Sequence, residues 1–152
     1  TFEQNIILDP EKVTSERARE AAKSVRADEV AADLPAGYDQ LLGERGHDLS
    51  AGERQLVSFA RALATDPDLL ILDEATANID GETEARIQSA LEILLADRTA
   101  VVIAHRLSTI KKADRIVVLH KGRVAEEGTH EELLAREGVY WKLYRLQSEE
   151  AA

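Results

Sequence analysis

With 152 residues, 44% of them apolar, the chain is long enough for one domain with a real core and too apolar to be disordered. A net charge of −10 disfavours a nucleic-acid surface, because phosphate binding needs a concentrated basic footprint. With no cysteine, disulfides and thiol-based metal or redox chemistry are excluded, and no apolar run approaches the roughly 20 residues that cross a bilayer.

Thr1 to Leu8 begins abruptly, with apolar residues already in place. With no leader and no methionine, the sequence reads as a soluble piece of a longer polypeptide. Asp9-Pro10 breaks this start. From about Ser15, Ala18, Ala21, Ala22 and Val25 recur at helical spacing, and a second short helix covers Asp28 to Asp33. Leu34-Pro35-Ala36-Gly37 ends it. Tyr38 to Gly46 then leads onward through a glycine-flanked loop, Gly43-Glu44-Arg45-Gly46.

The stretch from Leu49 to Asp80 organises the rest. Ser50-Ala51-Gly52-Glu53 opens a helix with capping-box spacing, and Leu56, Phe59, Ala60 and Leu63 give that helix one buried face. Asp66-Pro67-Asp68 stops it. Leu69 to Leu72 is a continuous apolar run, as expected of a strand in a parallel sheet covered on both faces. Asp73-Glu74 falls at the strand's carboxyl end, the rim where open α/β sheets bind ligands, which suits a metal ligand beside a base.

Gly81 to Ala96 reads as another helix, with Ile87, Ala90, Leu91 and Leu94 on one face and Glu82 placed to support Arg86. Arg98 to Ala104 is a β-branched strand ending at His105. Arg115 to Leu119 and Arg123 to Glu127 flank His120-Lys121-Gly122 as a hairpin. Thr129 with Glu132 repeats the capping-box spacing and starts tail helices whose apolar side carries Val139, Trp141, Leu143, Tyr144 and Leu146. His47, His120 and His130 lie in no comparable context and are assigned no role.

Leu49-Ser50-Ala51-Gly52-Glu53-Arg54-Gln55 resembles the LSGGQ signature of the ATP-binding cassette (ABC) ATPases, and Leu69 to Glu74 resembles their Walker B strand. Glu74 to Asp80 looks like the D-loop. His105 with Arg106 to Ile110 is similar to the H-loop, and Gly43 to Gly46 to the loop that in exporters faces the membrane domain. Ala51 and Glu53 depart from the signature's usual glycine and glutamine.

The resemblance implies a partial P-loop NTPase fold of the α/β class: a helical signature subdomain over about 1–64, then a mostly parallel sheet with flanking helices over about 65–152. By resemblance ATP and Mg²⁺ are the cofactors. Asp73 would hold the Mg²⁺ through its water shell, Glu74 would orient or deprotonate the attacking water, and His105 would touch the γ-phosphate. Ser50, Ala51, Gly52 and Glu53 would meet the nucleotide of an opposite cassette, and Asp80 would connect the two sites. The partners implied are a second nucleotide-binding domain, of the same or a different chain, and a transmembrane domain at the cytoplasmic face of the cell membrane. None of the 8 glycines is followed by lysine, so the phosphate-cradling loop is absent and the resemblance covers the second half of a cassette. An isolated chain of this kind is expected to be inactive, to leave apolar sheet surface uncovered and to self-associate. Two competing readings are a DNA-maintenance ATPase head and a non-catalytic module that only supplies signature surface. The acidic balance, the missing heptads and the exporter-like loop weigh against the first, and the intact Glu74 and His105 against the second.

Overall fold

The computed structural model describes residues 1–43, 46–73, 81–104 and 107–150, with the side chains of Glu82, Glu149 and Glu150 outside that description. The chain divides into two compact units, one of residues 1–72 with 76–101 and one of residues 73–75 with 102–152.

In the first unit, helix α1 (Phe2–Ile6), which the sequence reading did not anticipate, buries Phe2 and Ile6 completely. Helix α2 (Ser15–Ser24) is capped by Thr14 and turns Ala18, Ala21 and Ala22 inward. These small residues let it lie close against α4 (Ala51–Thr65), which buries Leu56, Phe59, Ala60 and Leu63 on the predicted face. Burying each large side chain stabilises by about 1.5–3 kcal/mol. Asp66 ends α4 in a left-handed conformation at φ 47° and accepts from Arg98 at 2.7 Å. Helix α3 (Ala27–Asp33) starts after Arg26, and Glu29 on it binds both Arg26 at 2.7 Å and Arg86 at 3.1 Å. Arg86 lies on α5 (Gly81–Leu95), and the anticipated support from Glu82 falls outside the described residues. Ile87, Ala90, Leu91 and Leu94 of α5 are all buried, as their spacing predicts, and α5 packs on α4.

Strand β1 (Leu69–Asp73) pairs with β2 (Thr99–Ile103). The described residues cover one face of this strand and leave apolar surface on the other, as expected of a chain without the phosphate-cradling loop. Leu70 is buried, whereas Ile71 is 71% and Val101 55% exposed. The apolar run is written for two covers, but only the face carrying Leu70 is packed, so alternate side chains meet water.

In the second unit, after α6 (Leu107–Lys111), β3 (Ile116–His120) and β4 (Arg123–Gly128) form the predicted antiparallel hairpin, pairing His120 with Arg123. The two-residue loop Lys121-Gly122 has φ 50° and 73°, the double positive φ of a type I′ turn. Helices α7 (His130–Ala135) and α8 (Val139–Glu150) follow. Val118, Leu133 and Tyr140 make this unit's small core. Leu143 and Leu146, expected on the apolar side of the tail, are half or more exposed, because Tyr140 and Tyr144, four residues apart, set the packed face.

Candidate functional site

Residues 50–53 are brought together by the start of α4. Ser50 is extended, at φ −62° and ψ 166°, and its hydroxyl accepts from the Glu53 backbone N–H at 3.2 Å. The Glu53 carboxylate reaches back to the Ser50 N–H at 2.6 Å, completing the capping box that the spacing predicts. Upstream, Asp48 accepts from the Gly43 N–H at 2.8 Å, and Gly46, at φ 67°, accepts from the N–H of the buried Leu49. Arg54 donates back to the Leu49 carbonyl, fixing the approach to the helix.

The first turn of a helix leaves N–H groups with no carbonyl partner inside the helix, and the macrodipole makes that end positive. Ser50 and Ala51 are exposed at this end, so the hydroxyl and the positive helix start face solvent. The exposed Ala51 methyl costs no packing, which makes the alanine tolerable at a signature glycine position. The donor set suits an anion such as a phosphate, with one qualification. The Glu53 carboxylate already holds one donor, so an incoming phosphate meets a negative charge there.

Gly52 differs from its neighbours because it is buried. A Cβ added to it would collide with Cγ2 of Thr83 on the first turn of α5 and would lie 3.5 Å from Cδ1 of Ile87. Its missing side chain therefore makes room for α5. The sequence signal for this was available in principle, as a glycine inside a helical pattern often marks close approach of another element, but nothing identified Thr83 as the occupant.

Asp73 is exposed at the end of β1 and belongs to the second unit. Among the described residues, no three of His, Cys, Asp and Glu converge to form a metal cluster. A single exposed carboxylate is compatible with Mg²⁺, which retains most of its water shell. Glu74, Asp80 and His105 lie outside the described residues.

Sequence reasoning also missed a polar cluster in the tail. Glu126 accepts from the Val139 N–H at 2.9 Å and the Tyr140 N–H at 2.8 Å, which holds its carboxyl below the usual glutamate range. His130, given no role from sequence, places Nδ1 2.7 Å from the Tyr140 hydroxyl, whose pKa burial pushes up.

A family model described as ABC transporter matches residues 1–77, just over half of the chain. The chain belongs to the ABC transporter family. Over 147 residues it is 54% identical to the probable multidrug resistance ABC transporter ATP-binding/permease protein YheH of Bacillus subtilis (strain 168), covering 97% of this chain and 22% of that protein. It is 51% identical over 150 residues to an ATP-dependent lipid A-core flippase of Syntrophus aciditrophicus (strain SB), covering 99% of this chain and 25% of the flippase. A solved structure of a bacterial Atm1-family ABC exporter with ATP bound matches the whole chain at a TM-score of 0.86 and 42% identity, over 27% of its own length. The chain thus spans about a quarter of these relatives, and its α/β fold is part of an ABC ATPase nucleotide-binding fold.

Proposed function

We propose that the chain is the carboxyl-terminal half of the nucleotide-binding domain of an ABC exporter, which couples ATP binding and hydrolysis to transport across a membrane. The observation that carries this reading is the capping box of Ser50 and Glu53 at the start of α4, which supports reading residues 50–53 as the signature's contact with an anion. High identity to exporters along nearly the whole chain supports the same reading.

Phosphoryl transfer needs positioning and charge stabilisation more than covalent chemistry from the protein. ATP and Mg²⁺ supply the reacting phosphate and its counter-charge. Asp73 would hold the ion through water, Glu74 would orient or deprotonate the attacking water, and His105 would touch the γ-phosphate. Ser50, Gly52 and the N–H groups of the first turn of α4 take the nucleotide held by a second cassette. Ala51 and Glu53 line the same contact, and Asp80 links the two sites. The helical subdomain covers about 1–64 and the remainder of the catalytic half about 65–152. The transporter places this half at the cytoplasmic face of the membrane, with a transmembrane domain and a second nucleotide-binding domain as partners.

The test is MgATP hydrolysis by the purified full-length transporter in lipid. Substitution of Glu74→Gln is expected to lower the rate at least a hundredfold while ATP still binds, and the isolated chain is expected to show no turnover. A full-length Glu74→Gln transporter that hydrolyses ATP at the wild-type rate would overturn the assignment.

A further inference from the structure

Ser50 is held from one turn ahead. Its N–H donates to the Glu53 carboxylate at 2.6 Å, and its carbonyl accepts from the Arg54 N–H at 3.0 Å. Its hydroxyl accepts from the Glu53 N–H at 3.2 Å, which leaves the hydroxyl hydrogen for a further acceptor. The Leu49 carbonyl, one residue before the N-cap, lies outside the helix ladder and accepts from the Arg54 guanidinium. The Leu49 N–H in turn donates to the Gly46 carbonyl at 3.0 Å.

The Leu49–Ser50 peptide is trans, so its carbonyl and N–H point to opposite edges, and Arg54 and Glu53 hold one edge each. The stem of Arg54 reaches that carbonyl by running past Gly46, where a side-chain carbon would lie 3.6 Å from its Cγ and 3.5 Å from its Cδ. A cation in the fourth residue of a helix stands against the macrodipole. What offsets it here is the charge-assisted bond to Leu49.

We propose that Arg54 is a positioning residue for the anion contact of residues 50–53. Its guanidinium locks the Leu49–Ser50 peptide, and with it the direction of the Ser50 hydroxyl and of the first N–H groups of α4, before an anion arrives. With the carbonyl released, the peptide turns about the two soft dihedrals beside it, and the Ser50 N–H leaves the Glu53 carboxylate. A segment already ordered loses less freedom on binding, so less nucleotide is needed to close the contact. For the identity of the anion, the proposal rests on the ATPase reading above. Arg54 acts through Ser50 and makes no bond to the nucleotide.

Two substitutions remove the guanidinium. Arg54→Met keeps a stem beside Gly46 and loses every donor, and Arg54→Gln shortens the side chain so that its amide falls short of Leu49. In the full-length transporter, hydrogen exchange of a peptide covering 48–55 is measured without nucleotide, alongside the ATP dependence of hydrolysis. Arg54→Met is expected to exchange several-fold faster in this peptide and to raise KM for ATP about threefold or more, with kcat within about twofold. A merely structural loss would leave fewer active molecules, which lowers kcat and leaves KM in place. Arg54→Gln is expected to follow Arg54→Met, and it decides the matter if the methionine variant folds poorly. Wild-type exchange in these variants would overturn the proposal, even with KM raised, because the guanidinium would then act on the nucleotide by its charge alone. Faster exchange with KM unchanged would overturn it too, since the peptide would not serve binding. A wild-type transporter without ATP hydrolysis would overturn the ATPase reading instead, and the nucleotide-free exchange would still decide whether Arg54 holds the peptide.

Discussion

The carboxylate of Glu53 lies 2.6 Å from the backbone nitrogen of Ser50 and accepts its hydrogen bond. A negative charge thus rests at the helix end that, on the proposed reading, meets a phosphate of the opposite cassette's nucleotide. Glutamine can close the same capping box without the charge. Glu53→Gln is therefore expected to keep the cap and lower stability by no more than about 1 kcal/mol, the worth of the lost charge at the helix end. A charge near a helix end is worth about 0.3–1 kcal/mol, so the apparent KM for ATP of the full-length transporter should fall by about two- to fivefold. Thermal melting and steady-state kinetics read the two effects separately, and an unchanged or raised KM would count against the charge argument.

Gly52 has no room for a side chain. Gly52→Ala drives a methyl into Cγ2 of Thr83, and overpacking of this kind costs about 1–3 kcal/mol. In a protein of this size that is a fall of roughly 2–4 °C in melting temperature per kcal/mol. Adding Thr83→Ala removes the clash, since the next atoms are Ile87 Cδ1 at 3.5 Å and the residue-83 Cβ at 3.6 Å, both at ordinary contact distance. The double variant should melt above Gly52→Ala alone. Equal or lower stability of the double variant would show that the clash is relieved by other means.

Much of this was legible in the sequence. The apolar spacing of α4 and α5, the Ser50-Glu53 capping box and the hairpin turn at Lys121-Gly122 are local patterns, in which each residue's environment follows from neighbours three or four positions away or across a tight turn. The contacts that were missed join distant positions. Thr83 against Gly52, Glu29 with Arg86 and Glu126 with the start of α8 depend on how helices meet, and spacing along one element carries no record of that. The exposed face of the strand at Leu69 to Leu72 has a related reason, because composition records how many covers a strand suits and not whether both are in place.

Glu126 caps α8 through the N–H groups of Tyr140 and Val139, which depress its pKa below the ordinary glutamate value of 4.5. A carboxyl depressed in the folded state contributes stability that is full above pH 4.5 and is lost as pH falls through the depressed value. Trp141, the single tryptophan, lies on the same helix. Its fluorescence should report loosening of α8 below pH 4.5, and Glu126→Gln should shift that change upward or flatten it. Identical acid transitions in the two proteins would remove Glu126 from the account. Gly138→Ala should also loosen α8, since its methyl would collide with the Glu126 carboxylate.

The outward faces of β1 and β2 present Ile71 and Val101 to water. Exposed apolar patches of this kind favour association. The isolated chain is expected to self-associate with rising concentration, and Ile71→Lys with Val101→Lys should shift sedimentation toward the monomer. A wild-type chain that stays monomeric across the range would contradict the expectation.

The central claim is that residues 50–53 contact a nucleotide held by a second cassette. This chain contains no cysteine, and Ala51 is exposed. The most direct measurement is the maleimide-labelling rate of Ala51→Cys in the full-length transporter, with any cysteines outside this stretch replaced and Glu74→Gln added to slow turnover. MgATP should slow labelling at position 51 by tenfold or more in the transporter and leave it unchanged in the isolated chain. If the transporter binds MgATP and position 51 still labels at its nucleotide-free rate, residues 50–53 do not form that contact.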